Sequence, residues 1–318
     1  SEEHQKAMKT KILVVCSAFV GFFWAAEALG ASGSFEEIVA LDEPIHLDVT
    51  TGSGSITVSV GDSGRVEIRG DINVRSKGLF GFSGRSREEA EAMVEEIAAN
   101  PPVELSGDRL RVGYFKDRRF NKNVSLEFEI VVPARTSVTA DSGSGSVTIS
   151  GVSGDVLADT GSGRVRLSDI TGSVTADTGS GSVRAENIAG SFNADTGSGS
   201  VWLSQTAPGD VNVSTGSGSC ELLGVTGALK ADTGSGRITV DGEMAGPWYL
   251  DTGSGSVSVT LPDDAAFRLD ADSSSGGISI DHPLTVTGTV SKRHLRGEVR
   301  GGGELLKIDT GSGGIRIR

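Results

Sequence analysis

The sequence predicts an all-β protein built as a parallel β-helix, with coils of 18 or 19 residues and one short helix in its amino-terminal part. Three observations predict this fold. A motif of the form Asp-[Thr/Ser]-Gly-Ser-Gly recurs at steps of 18 or 19 residues from Asp141 to Asp251, with Ser214 in the aspartate position of one copy. Two short segments of alternating apolar and polar residues lie between successive copies, which is the pattern of half-buried strands. Glycine accounts for 46 of the 318 residues, about twice its usual share.

Stacking of equivalent coils explains the constant period. In a β-helix each repeat is one coil, and equivalent residues lie above one another, so the same residue types recur in columns. A hairpin meander does not favour so uniform a period, and a propeller blade needs four strands and about 40 residues. The apolar residues of one coil are spaced by 2, 3, 4 and 2 positions between Val147 and Ala158, not by sixes. This spacing favours a flattened coil with two main faces, and the crossover preference predicts a right-handed winding.

The first 30 residues predict an export signal. A basic start at residues 8–11 precedes an apolar run at residues 12–26, and small residues follow up to Gly30. This order is typical of a secretory signal peptide, with residues 1–7 as extra leader residues. The alternative is an uncleaved anchor, but the run is shorter than the roughly 20 residues that a spanning helix needs. We therefore expect cleavage near Gly30, no stable membrane span in the mature chain, and an exported protein in the periplasm, on the outer surface or outside the cell.

Residues 31–135 form the second predicted unit, an N-terminal β region with an inserted helix. Alternating segments predict strands, and the helix is expected at residues 86–99. Ser86 and Glu89 have the spacing of a capping box, and Asn100-Pro101 ends the helix. Because a solenoid needs its open ends covered, we expect this helix and its flanking strands to cap the repeats.

Residues 136–318 form the third predicted unit, the regular β-helix repeats. The alternating apolar side chains of each strand are expected to point inward, and the residues between them outward. A basic segment followed by three glycines interrupts the repeats. Residues 290–303 are therefore predicted as a loop insertion before the last copy of the motif at Asp309.

The charge balance and the cysteine count exclude some functions. The chain has 29 Lys and Arg against 42 Asp and Glu, a formal net charge of −13. A nucleic-acid-binding protein needs a basic face, so we predict no nucleic-acid partner. Cys16 lies in the predicted signal, which leaves Cys220 alone and excludes an intramolecular disulfide in the mature chain.

The repeated aspartates invite two chemical interpretations. Asp-Thr-Gly-Ser is the signature of aspartic proteases, but that chemistry needs two copies in separate lobes, whereas here each copy lies at a repeat corner. We predict that each carboxylate closes its turn by accepting backbone N–H groups. The alternative is calcium binding between coils, for which the candidates are Asp159, Asp177 and Asp195. No catalytic residue and no cofactor are predicted.

The outward-facing columns are where a binding surface is expected. In the column of the first strand, Arg184, Trp202 and Glu221 are predicted to stack as a strip of cation, aromatic ring and anion. This strip is the candidate binding surface for a glycan or a protein. The alternatives are ordinary surface residues, or contacts of the basic loops at 116–122 and 292–296 with anionic lipid or polysaccharide.

The repeat itself resembles a known family. The Thr-Gly-Ser-Gly-[Ser/Arg]-Val coils, the segment from Ala98 to Val103, the Val131-Val132-Pro133 lead-in and the Gly-rich stretch before Thr310 resemble the bacterial putative-adhesin family, a β-strand repeat domain of unknown function. The resemblance covers about Phe35 to Arg318. It implies an envelope or surface β-helix and offers no catalytic residues to carry over.

The predicted function is that of an exported, non-catalytic β-helix protein, adhesin-like or otherwise associated with the envelope, with a binding or structural role. One alternative is a carbohydrate-active β-helix enzyme, either a polysaccharide lyase or a hydrolase, and another is an envelope stress or regulatory module. The β-helix enzymes need clustered acids, or lysine and arginine, in a groove built from long loops, and coils of 18 or 19 residues leave almost no chain to build one. The sequence specifies neither the ligand nor the oligomeric state.

Overall fold

The structure is a computed structural model that describes residues 30–41, 44–62, 64–76, 86–121, 123–286 and 291–318. Apart from Gly30, the predicted signal peptide lies outside the described residues. The strands of the amino-terminal part are β1 (Gly30–Ala40), β2 (Ile45–Thr51), β3 (Ile56–Val60), β4 (Arg65–Arg75), β5 (Val103–Ser106), β6 (Arg109–Val112) and β7 (Val124–Val132).

The repeats contribute eighteen further strands to the part of the chain that the structure describes. They are β8 (Thr136–Ser142), β9 (Val147–Ser150), β10 (Val156–Thr160), β11 (Val165–Thr171), β12 (Val174–Thr178), β13 (Val183–Ala189), β14 (Phe192–Thr196), β15 (Val201–Ala207), β16 (Val211–Thr215), β17 (Cys220–Thr233), β18 (Ile238–Thr252), β19 (Val257–Thr260), β20 (Phe267–Ser273), β21 (Ile278–Ile280), β22 (Leu284–Val286), β23 (His294–Val299), β24 (Glu304–Thr310) and β25 (Ile315–Ile317).

Successive repeats pair as parallel strands in the register of the sequence motif. Val156 lies beside Val174 and Asp159 beside Asp177, an offset of one 18-residue coil. Strands β8, β10, β12, β14 and β16 and the second halves of β17 and β18 form what we call the first face. Strands β9, β11, β13 and β15 and the first halves of β17 and β18 form the second face. These pairings confirm the predicted parallel β-helix, while its handedness stays a prediction.

The core is the narrow space between the two faces. Strand alternation points every second side chain inward, so that Val201 and Leu203 of β15 are buried while Trp202 between them is partly exposed. One apolar cluster continues through all the coils, from Phe35 to Ile317. Burial of this cluster is the main force that holds the stack together.

Spatial order departs from chain order at both ends of the stack. The coil of β2 and β3 lies between the strands β6 and β7 on one side and the strands β8 and β9 on the other. At the carboxyl end, β24 lies between β18 and β20, and β25 lies between β19 and β21. The last coil in the sequence is therefore an interior layer.

The helix α1 spans Arg87–Ala99 and begins with the predicted capping box, since the hydroxyl of Ser86 accepts the N–H of Glu89 and the carboxylate of Glu89 accepts the N–H of Ser86. Its apolar stripe packs on β1 and β4. No helix among the described residues is both long and apolar enough to cross a membrane. The division of the chain into capping region and repeats stays a prediction.

Antiparallel strands flank the parallel stack at both ends. At the amino end these are β4 against β7, β1 against β4 and β5 against β6, and at the carboxyl end β23 pairs with β20 and β22 with β23. The loop predicted at residues 290–303 is therefore corrected in its described part, where residues 294–299 form strand β23. The pairing gives hydrogen-bond partners to backbone N–H and C=O groups at the edge of β20 that would otherwise be exposed. Leu295 of β23 is buried.

Candidate functional site

The turn of each repeat is closed by the threonine that follows the aspartate. The hydroxyl of Thr178 accepts the N–H of Gly181 at 3.0 Å and donates to the carbonyl oxygen of Gly163, in the preceding coil, at 3.0 Å. The same pair of bonds occurs at Ser142, Thr160, Thr196, Thr215, Thr233, Thr252, Ser273 and Thr310. The prediction that the aspartate carboxylate closes the turn is wrong. The strand continues into the motif, so alternation buries the threonine and turns the aspartate outward.

The outward aspartates form a row on the first face that is interrupted by Ser214, and we call this row the aspartate ladder. In spatial order its members are Asp141, Asp159, Asp177, Asp195, Ser214, Asp232, Asp251, Asp309 and Asp272. Adjacent members are one strand spacing apart, about 4.8 Å. Within the described chain, no basic side chain pairs with the first four of these aspartates.

Burial, together with the crowding of carboxylates, changes the protonation of three ladder aspartates. Partial burial raises the pKa of Asp141, Asp177 and Asp251 above its ordinary value, and the neighbouring ladder aspartates add to the effect. The folded protein therefore binds these protons more tightly than the unfolded chain does. The contribution of these groups to the free energy of unfolding therefore falls as the pH rises from the pKa of an ordinary carboxyl group to the raised pKa of the folded state. It stays lower at neutral pH.

Asp177→Asn is expected to stabilise the protein slightly at pH 7, because it removes a partly buried charge between two like charges. The gain in the free energy of unfolding is expected to be below about 1 kcal/mol, since solvent screens a half-exposed carboxylate. The gain should disappear in acid, where the ladder is protonated in both states. Thermal denaturation followed by circular dichroism, at pH 7 and in acid, measures this gain in stability. Asp263→Asn, at an exposed position outside the ladder, is the control.

The same measurement tests the metal candidates Asp159, Asp177 and Asp195. We expect the melting temperature to be equal in millimolar calcium and in chelator. A stabilisation by calcium that Asp177→Asn abolishes and Asp263→Asn retains would contradict this expectation and show that the ladder is a calcium site.

One further group has metal-binding geometry at the carboxyl end of the ladder. Single ligand atoms of Asp270, Asp272 and His294 lie within 4.8 Å of one another. Each already has a protein partner, since Nδ1 of His294 is 2.5 Å from Asp272 and Nε of Arg296 donates to Asp270 at 2.7 Å. The cluster is therefore explained by the pairing of β20 with β23.

The residues Arg184, Trp202 and Glu221 of the candidate strip occupy neighbouring positions on three adjacent strands. Arg184 lies beside Trp202 and Trp202 beside Glu221 in adjacent parallel strands. The guanidinium carbon of Arg184 is 4.1 Å from the centre of the Trp202 ring, a cation–π contact, and Arg184 also pairs with Glu186. Arg184 and Glu221 are exposed and Trp202 is half-buried. The role of this strip in binding stays a prediction.

An exposed aromatic residue on the first face, Tyr249, is not among the predicted site residues. Tyr249, which is 44% exposed, lies between Lys230 and Lys307 in register, and all three residues line a cavity of about 320 Å³. The sequence does not place Lys307 beside Tyr249, because these residues are neighbours only through the insertion of β24 next to β18. The recurrence of the motif at Asp309 was the signal that could have aligned them.

Three basic side chains of the two basic loops pair with nearby acids. Lys116 pairs with Glu104 at 2.6 Å, and Arg119 pairs with Asp117 at 2.6 Å. In the second loop Arg296 pairs with Asp270. These pairings weaken the alternative in which the loops hold anionic lipid or polysaccharide.

Cys220 offers no nucleophile. It is buried in the core as a free cysteine, and burial raises the pKa of its thiol to about 12, with a smaller effect from Asp232. The thiolate is the reactive form, so this side chain acts as a core residue.

Parallel coils in constant register, hydroxyl-closed turns and a continuous apolar core define a β-solenoid repeat protein. Residues 103–318 match the model of the family described as Toastrack DUF4097. The chain belongs to this family, which confirms the resemblance that the sequence motifs indicated. The matched part includes all of the repeats.

Two solved structures are similar to this chain. One is a putative cell adhesion protein from Clostridium sporogenes, with 14% identity, a TM-score of 0.19, and 89% of this chain and 97% of that chain covered. The other is a putative adhesin from Bacteroides fragilis, with 13% identity, a TM-score of 0.40, and coverage of 90% and 97%. At these identities and TM-scores, neither similarity supports a statement about the function of this chain. A search of curated proteins found no match.

Proposed function

We propose that this protein is an exported, non-catalytic binding protein that holds a surface glycan at the strip of Arg184, Trp202 and Glu221. The observation that carries the proposal is the stacked contact of 4.1 Å between Arg184 and Trp202 on an exposed β-helix face. Export rests on the predicted signal at residues 1–30.

The strip has the chemistry that sugars require. An indole ring offers an apolar surface for the C–H groups of a pyranose and a polar N–H at its edge. Arg184 supplies donors on one side of the ring, and Glu221 supplies an acceptor on the other. Three adjacent strands place these groups across roughly 10 Å of surface, the width of one or two sugar rings. Stacking by Arg184 holds the ring in place before a ligand arrives.

The uniform turns favour binding over catalysis. Glycoside cleavage needs an acid and a base held on opposite sides of the scissile bond in a cleft. Of the two carboxylates at the strip, that of Glu186 is engaged by Arg184, and Glu221 stands exposed on an open face. A lyase or hydrolase activity is the competing function, and its detection would contradict the proposal.

Trp202→Ala is expected to weaken glycan binding at least about tenfold, because an aromatic anchor contributes most of the energy of such a contact. A glycan array identifies the ligand, and biolayer interferometry on the immobilised glycan measures the change. Binding should be weak per site and strengthened by multivalent display. The circular dichroism spectrum should not change, since Trp202 is only half-buried.

Tyr249→Ala is the matched control, because it removes an exposed aromatic residue from the other face. Equal binding by Trp202→Ala and the parent would place the partner surface elsewhere. Loss of binding in Tyr249→Ala alone would assign the glycan to the first face.

A further inference from the structure

A cavity of about 420 Å³ opens beside the amino-terminal turns of the stack. Its lining includes the aromatic side chains of Tyr114, Phe115 and Phe120, the aliphatic residues Val124 and Leu126, and the carboxylate of Asp141. This volume lies within the range of small-molecule sites. The cavity shares no residue with the strip of Arg184, Trp202 and Glu221, so it requires an explanation of its own.

The aromatic wall is held in place by hydrogen bonds and ring contacts. The hydroxyl of Tyr114 donates to Asp48 at 2.6 Å, and Asp48 also accepts from Arg109 at 2.9 Å. The rings of Phe115 and Phe120 lie 5.1 Å apart. Phe120 is buried, and this burial helps to hold its ring in place. The rings are thus fixed without a ligand.

Two of the three rings already attract cations of the protein. The guanidinium carbon of Arg111 lies 4.0 Å from the centre of the Tyr114 ring, and that of Arg119 lies 5.4 Å from the centre of the Phe120 ring. Neither arginine is among the residues that line the cavity. The negative faces of aromatic rings are the physical cause of this attraction.

The charge inside the cavity is negative and uncompensated. Among the described residues Asp141 has no ion-pair partner, and no lysine or arginine lines the cavity. The neighbouring Asp48 differs, because Arg109 pairs with it at 2.9 Å. Burial raises the pKa of Asp141, and Asp159 and Asp48 add to the effect. A cation placed beside Asp141 would relieve this repulsion.

We infer that the cavity binds a small organic cation through its alkylated ammonium group. Aromatic rings together with a carboxylate are the combination that recognises quaternary ammonium ions. The side chains of Val124 and Leu126 suit the methyl groups of such an ion, which a hydrated metal ion lacks. An anion is disfavoured by Asp141, and a neutral molecule lacks the charge that would attract it to this carboxylate.

Choline is the probe for this site, and its uncharged isostere 3,3-dimethylbutan-1-ol is the matched control ligand. Titration followed by isothermal calorimetry or by NMR shifts of the protein is expected to show saturable choline binding that is about tenfold tighter than that of the isostere. Asp141→Asn should lower the affinity for choline roughly fivefold to tenfold and leave the affinity for the isostere unchanged. Phe115→Leu should lower the affinity for both ligands.

Asp159→Asn is the matched control variant, because Asp159 is the next member of the aspartate ladder and does not line the cavity. It should bind choline like the parent. Equal affinity for choline and the isostere, or equal losses in Asp141→Asn and Asp159→Asn, would overturn the inference and leave only a general attraction of cations to the ladder. Absence of saturable binding in the folded parent protein would overturn it as well.

Discussion

Leu203→Asp is expected to abolish folding of the repeats. Leu203 is fully buried on β15, between Ala185 in one neighbouring coil and Leu222 in the other. An aspartate there would carry a charge into an apolar core without a partner, at a cost of several kcal/mol, on the order of the whole stability of a domain. The variant should be recovered as aggregate or should lack the β-sheet signal in circular dichroism.

Leu157→Asp is the matched control for this substitution. Leu157 points outward from β10 and is 42% exposed. The same chemical change is therefore expected to leave the melting temperature within a few degrees of the parent. A folded Leu203→Asp protein that melts at the parent temperature would contradict the inward orientation of this column.

Gly181→Ala is expected to destabilise the stack severely, although it adds a single methyl group. A Cβ atom on Gly181 would lie 1.6 Å from the carbonyl oxygen of Gly163 in the preceding coil. The two nearest atoms belong to the backbone of Gly163, which cannot rotate away, so the two coils themselves must separate. We expect a loss of roughly 3 to 5 kcal/mol in the free energy of unfolding, within the range of severe single substitutions.

Gly277→Ala provides the comparison, because a Cβ atom at Gly277 would meet no atom within 4 Å. Chemical denaturation of both variants gives the two free energies. If Gly181→Ala and Gly277→Ala lost the same small amount, the close approach of the coils at Gly181 would be wrong.

The repeat predicts most of the fold, because column identity is a direct consequence of stacking. The motif places Asp159 above Asp177, the strip of Arg184 and Trp202 follows from the same register, and the capping box of Ser86 fixes the start of the helix. In each of these cases the local sequence pattern and the contacts in the folded protein favour the same structure.

The errors arise where long-range order overrides local pattern. Turn chemistry suggested the aspartate as the closing group, but continuation of the strand into the motif turned the hydroxyl of Thr178 inward instead. The segment at 294–299 has the composition of a loop, yet the free edge of β20 pairs with it.

The cavity near Tyr114 could not be predicted from spacing. Its walls come from Thr50–Gly52, from Asp141 and from a later segment that contributes Tyr114, Phe120 and Leu126, and these parts of the chain meet only because the coil of β2 and β3 is inserted out of chain order. Periodicity describes neighbours one repeat apart. It contains no information about segments that skip a layer.

The inserted position of the last coil has a consequence for the time course of folding. Strands β20 and β21 are made before β24 and β25, but their parallel partners in the stack are those two later strands. A solenoid that grew layer by layer behind the emerging chain would have to pause at β19 with an open edge. Closure of that end therefore awaits β24 and β25, and removal of these two strands is expected to leave β20 and β21 without their parallel partners.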